Sequence, residues 1–90
     1  MSDFLLVEPP WFVYILYSPT LGTYYTGISN RPDERLRNHN AGRGAKYTRR
    51  GRPWGIVRLE RMPSKSYALK REREIKRLTH EEKDHLIASV

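Results

Sequence analysis

Near the start of the chain, Phe12-Val13-Tyr14-Ile15-Leu16-Tyr17 sets six β-forming residues in a row. A strand with one wet face alternates apolar and polar side chains, and this run does not. It needs cover on both faces and a neighbour on both edges, so it predicts the central strand of a sheet. The rest of the chain must supply those neighbours and that cover.

Ser18 to Thr23, with Pro19 and Gly22, is turn material, and Tyr24-Tyr25-Thr26-Gly27-Ile28 follows as a second strand, completing a hairpin. Pro32 suits a first helical position, Asp33 and Glu34 favour the positive end of a helix dipole, and Gly42 suits a stop, which predicts a helix over about 32–41. The Gly- and Arg-rich stretch from Arg43 to Pro53 reads as an exposed loop, and Trp54 to Glu60 as a third strand. Pro63 and Ser64 open a helix running to about Leu78, with Ala68, Leu69, Ile75 and Leu78 on its apolar arc. Thr79-His80-Glu81-Glu82 is a capping box that starts a last short helix. The order ββαβαα predicts an α+β fold: a three-stranded, mainly antiparallel sheet with three helices packed on it. Ninety residues hold one such domain, expected over 11–90, after a short leader at 1–10 that Pro9-Pro10 closes.

The net charge of +7 is concentrated. Residues 1–30 contain no Lys or Arg, whereas residues 31–61 hold ten against three acids. Such a block points to a polyanionic partner, nucleic acid first. No basic amphipathic helix with a broad apolar face argues for a membrane surface. With no cysteine in the chain, disulfides and thiolate zinc sites are excluded, and a reducing compartment, the cytoplasm, is the expectation. P-loop, dinucleotide and Ser/Cys nucleophile motifs are missing too, so no small-molecule cofactor is expected.

Glu72 is the most informative residue. With Ala68 at zero it falls at about +40°, between Ala68 and Leu69, whereas Glu74 falls near −120° on the wet side. A carboxylate on the buried arc of a helix needs a cation. Either it forms a structural ion pair with an arginine, or it holds a metal ion. Arg35 and His39, four apart, share one face of the first helix with its only large apolar anchor, Leu36. By itself that pair reads as the margin of a helix–sheet contact. Tyr14, Tyr17, Tyr24 and Tyr25 crowd the hairpin, and one or two of them could aim hydroxyls at a site on one sheet face. His80 and His85, about 140° apart around a helix, make no zinc pair.

Tyr25-Thr26-Gly27, then Arg35-Leu36 and His39, resembles the GIY-YIG nuclease domain. Phe12-Val13-Tyr14 stands where that family has its first motif, and Ala68-Leu69-Lys70-Arg71-Glu72 is similar to its metal-binding helix. Gly44-Ala45-Lys46-Tyr47-Thr48, ending in Arg52-Pro53, is similar to the small stand-alone bacterial YhbQ-like branch. The chain departs from the pattern at Phe12, where the family has a glycine, and at Ile28, where some members carry a lysine.

The resemblance implies a phosphodiester-cutting endonuclease acting on nucleic acid, DNA ahead of RNA, with Mg²⁺ or Mn²⁺. In it, Glu72 holds one cation, Tyr14 or Tyr25 takes a proton from the attacking water, Arg35 binds the scissile phosphate and His39 assists the tyrosine. Arg43, Lys46, Arg49, Arg50 and Arg52 are expected to track phosphates, with Tyr47 placed to stack on an unpaired base. A free phenol, with a pKa of about 10, predicts activity that rises from pH 7 towards 9. The rival reading is a non-catalytic nucleic-acid-binding module on the same fold, and a further one is a basic face that docks on an acidic protein.

Overall fold

The computed structural model describes residues 9–89, so most of the expected leader lies outside the described residues. Strands β1 (Trp11–Ser18), β2 (Thr23–Ser29) and β3 (Gly55–Met62) form one antiparallel sheet in the order β2-β1-β3. The apolar run is thus the central strand, and Val13 to Leu16 are all buried. Helices α1 (Pro32–Asn40), α2 (Lys65–Lys76) and α3 (His80–Ala88) complete the expected ββαβαα order.

The two faces of β1 feed two cores. Val13 and Ile15 pack against Ala68 and Ile75 of α2, with Leu86 and Ile87 of α3 at the margin. Tyr14 and Leu16 point the other way, into a cluster with Trp54, Tyr25, Leu36 and Ile56. Local signals set the helix ends: Ser64 caps α2 by accepting from the Tyr67 amide, and Thr79 and Glu82 form the reciprocal capping box of α3.

An ion-pair network fixes how α2 is rotated. Arg71 Nε lies 2.7 Å from Glu60 Oε1 on β3, and Arg58 Nε lies 2.7 Å from Glu60 Oε2. The hydrogen bond from Arg71, then that from Arg58, holds the Glu60 carboxyl below the usual carboxylate range, against the opposing effect of burial. Arg71 and Glu72 diverge by about 100° around the helix. With Arg71 held to β3, Glu72 points in another direction and pairs with Lys76 of the same helix.

The stretch expected to be an exposed loop is only partly so. It contains a 3₁₀ turn, Lys46–Arg49, in which Thr48 is fully buried. The reason is Trp54, which sits just before β3 and not inside it. Its indole Nε1 donates to Thr48 O at 3.0 Å and Arg50 O at 3.2 Å. Asn40, at the end of α1, clamps the Trp54 backbone from the other side, accepting from its amide at 2.7 Å and donating to its carbonyl at 3.0 Å. The loop is therefore folded back against α1. No helix among the described residues is long and apolar enough to cross a membrane.

Candidate active site

Tyr14 leaves β1 on the α1 side, opposite Gly27 of β2. A Cβ at position 27 would lie 2.5 Å from the Tyr14 hydroxyl, so the glycine leaves the phenol its place. In α1, Leu36 packs into the Tyr14 cluster, and His39, about one turn on, is carried inward with it. The expectation of a marginal His39 falls short: the ring is fully buried.

The two buried polar rings meet. Tyr14 Oη and His39 Nε2 are hydrogen-bonded at 2.9 Å. On the far side of the ring, Nδ1 is 2.6 Å from Thr48 Oγ1, and the Thr48 hydroxyl donates to Ala45 O at 2.9 Å. Gly44 allows this approach, since a Cβ there would fall well inside contact distance of the His39 ring. Tyr25 borders the same place, its ring centre 5.1 Å from that of His39 and 6.5 Å from that of Tyr14. Tyr47, 54% exposed, stacks on Tyr25 at 5.9 Å and forms the rim.

The electrostatics pull the two partners apart in proton affinity. Burial, then the neighbouring Tyr25, raises the Tyr14 phenol to about 12; Arg35 opposes this and Glu72 adds to it. Burial and then the Arg35 charge lower His39 to about 4. Arg35 thus acts on both members of the pair. The Glu72 carboxylate also acts on the Tyr14 phenol, as the smallest of these effects.

Glu72 is only 17% exposed at its side chain, and the partner it finds is Lys76 Nζ at 3.2 Å, one turn along, not an arginine. No group of three His, Cys, Asp or Glu among the described residues is arranged to enclose a metal. The donor chemistry still fits a magnesium-like ion: one hard carboxylate, inward-turned, beside a lysine that is more than half exposed and free to swing away. Such ions keep several waters and complete their shell on substrate phosphate, so one carboxylate suffices for a weak site.

Arg43, Lys46, Arg49, Arg50 and Arg52 are all exposed, and none pairs with a carboxylate among the described residues. Lys46, Tyr47, Arg50 and Leu21 line a cleft of about 360 Å³ beside the Tyr25–Tyr47 stack. A larger cavity of about 480 Å³ lies between Phe12 and Leu59 of the sheet and the first turns of α1. Its lining mixes Arg31 and Arg37 with Asp33 and Glu34, which suits a polyanion less well than the wholly basic loop.

Thr48 and Gly44 were not picked out as site residues from the sequence. A threonine inside an arginine-rich run looks solvated, and only Trp54 six residues on hints that the run is pinned inward.

Comparison with known proteins gives the family and the fold. The model of the GIY-YIG catalytic domain matches residues 10–84. A UPF0213 protein of Natronomonas pharaonis is 46% identical over 77 residues, which is 86% of this chain and 89% of that one. A UPF0213 protein of Staphylococcus aureus is 46% identical over 76 residues, covering 84% and 92% of the two chains. The solution NMR structure of a UPF0213 protein from Bacillus halodurans superposes with a TM-score of 0.56 at 38% identity, over 88% of this chain and 83% of that one.

The packing around His39 makes a direct prediction. Gly44→Ala forces a methyl group against a ring held by hydrogen bonds on both sides, and should lower stability in urea unfolding by about 1–3 kcal/mol. Gly55→Ala, whose Cβ meets nothing within 4 Å, should stay within about 0.5 kcal/mol of the parent. Equal effects from the two would contradict the close approach.

Proposed function

The chain belongs to the GIY-YIG catalytic domain family, whose fold is of the nuclease type, and we propose that it is itself a divalent-metal-dependent endonuclease hydrolysing phosphodiester bonds in nucleic acid, DNA ahead of RNA. The observation that carries this reading is the buried 2.9 Å hydrogen bond between Tyr14 and His39, two groups with opposed proton affinities beside Arg35 and Glu72.

The reaction asks for three things of the protein's own groups. A phosphodiester must be held, and the Arg35 guanidinium offers a planar fork that suits phosphate oxygens and the charge that grows on them. A water must lose a proton as its oxygen attacks phosphorus. Tyr14 is better placed than Tyr25 to take it, because Tyr14 alone is bonded to an acceptor: the water proton passes to the Tyr14 oxygen while the phenol proton passes to His39 Nε2. The bond from phosphorus to the leaving oxygen breaks, and that oxygen takes a proton from solvent. Burial and then the Arg35 charge keep the His39 affinity low, and a phosphate held at Arg35 would offset the second of these, so substrate binding favours the transfer.

A divalent cation held by Glu72 would supply Lewis-acid stabilisation of charge on the phosphate and leaving oxygens. Tyr25 and Tyr47 form an aromatic wall, and Arg43, Lys46, Arg49, Arg50 and Arg52 are the proposed contacts to the nucleic-acid backbone.

Two outcomes are expected. Incubated with labelled single-stranded, duplex and flap substrates of DNA or RNA in Mg²⁺ or Mn²⁺, the protein should cut at least one, and chelation should stop it. Glu72→Ala should retain binding and lose roughly 10²-fold or more in cutting. A parent that binds without cutting would make it a binding module, and undiminished cutting by Glu72→Ala would remove the carboxylate from the chemistry.

The pH dependence follows from the two shifts. The competent form has His39 neutral and Tyr14 protonated; it gains population as pH rises through about 4 and loses it only near about 12. Single-turnover cutting should therefore be level between about pH 6 and 9. This replaces the alkaline rise expected from a free phenol, because burial moves Tyr14 away from the phenolate and His39 takes its proton instead. A rise of roughly tenfold per pH unit across that range would mean a preformed phenolate and contradict the paired transfer.

A further inference from the structure

Thr48 lies on the far side of the His39 ring from Tyr14 and is fully buried. Its hydroxyl has a single proton and two near neighbours, the Ala45 carbonyl at 2.9 Å and His39 Nδ1 at 2.6 Å. The Ala45 carbonyl, which also accepts from the Thr48 amide at 3.0 Å, can only accept, so both contacts of the hydroxyl are hydrogen bonds at once only when it donates to Ala45 O and accepts from Nδ1–H. Nδ1 must then carry hydrogen. A neutral ring has only one N–H, so Nε2 presents a lone pair, and the Tyr14 hydroxyl at 2.9 Å must donate to it.

From this chain of donors we infer that Thr48 is a positioning residue which locks His39 in the Nδ1–H tautomer and so decides that Tyr14 acts as a proton acceptor toward water. The inference rests on the proposed role of Tyr14 in proton transfer. In the locked form the phenol proton is committed to Nε2, and the lone pairs of the phenol oxygen are turned away from His39. An incoming proton on that oxygen is balanced by departure of the phenol proton to Nε2, leaving an imidazolium with hydrogen on both nitrogens. In the opposite tautomer Nε2–H would donate to the phenol oxygen and occupy a lone pair. The phenol proton would then point outward, and Tyr14 would be a donor to water instead of its base.

The fold is built to deliver Thr48 to this place. The Trp54 indole holds the Thr48 carbonyl at 3.0 Å, Asn40 clamps Trp54 to the end of α1, and Gly44 gives the turn room to pass the ring. Those contacts also mean that the role is separable from simple packing. Thr48→Val keeps the shape and loses both hydrogen bonds, whereas Thr48→Ser keeps the hydroxyl.

The test combines nitrogen-15 NMR of the His39 ring, assigned by comparison with His39→Gln, with single-turnover and steady-state cutting. In the parent and Thr48→Ser, Nδ1 should bear the hydrogen and kcat should agree within about threefold. In Thr48→Val the hydrogen should move to Nε2, with kcat down roughly 10–100-fold and KM within about twofold. A parent ring protonated at Nε2, an unchanged tautomer in Thr48→Val, or equal kcat losses in the valine and serine variants would overturn the inference. The ring measurement needs neither substrate nor metal. If the parent does not cut nucleic acid, the proposed function fails, while the tautomer of the parent and its serine variant still decides whether Thr48 sets it.

Discussion

The fold closes on one buried contact, the hydrogen bond between the Tyr14 phenol and the His39 imidazole. The two rings are 25 residues apart, one on the central strand and one on α1, and both are removed from water. Each would be costly to bury without a partner. Satisfying them fixes where α1 lies over the sheet and how closely its following loop must return. The requirement reaches into the backbone at Gly27 and Gly44, where a side chain would occupy the space of one ring or the other. It reaches the loop through Thr48, which Trp54 and Asn40 hold in place.

The same contact underlies the chemistry we propose. Burial acts on the two partners in opposite directions, raising the phenol to about 12 and lowering the imidazole to about 4, because in each case the neutral form is favoured. A neutral, hydrogen-bonded pair is stable across ordinary pH, and in the reading we propose its proton moves to His39 only as water gives its own proton to Tyr14. Arg35 opposes the rise at Tyr14 and adds to the fall at His39, so a phosphate that engages it would change the balance between the two partners. Glu72 takes its direction from the rotation of α2. Arg71 is anchored to Glu60 on one side of the helix, and the carboxylate at the next position points in another direction.

Much of this was legible in the sequence. The apolar run marked the central strand, Pro32 and the capping box marked helix starts, and Glu72 stood out by its angle on an apolar arc. Arg35 and His39 were found as a pair through helical spacing, and the likeness to GIY-YIG domains named their roles. What periodicity could not supply was depth. Leu36, the only large apolar anchor of α1, makes Arg35 and His39 lean toward the domain but does not say how far, and His39 goes past the margin of the contact to full burial. Thr48 was invisible because its burial comes from long-range hydrogen bonds to Trp54 and His39, and neither leaves a local pattern in an arginine-rich stretch. The preference for Tyr14 over Tyr25 that we propose rests on strand register and on which phenol reaches an imidazole nitrogen, neither of which is written in the local sequence.

The central claim is that two protons move together when water attacks, one onto Tyr14 and one from Tyr14 onto His39. Single-turnover cutting rates measured across mixtures of light and heavy water test it directly. The account predicts a rate that falls along a curve as the deuterium fraction rises, the mark of two protons in flight in one step. A straight line, which one moving proton gives, or a rate indifferent to deuterium would contradict it.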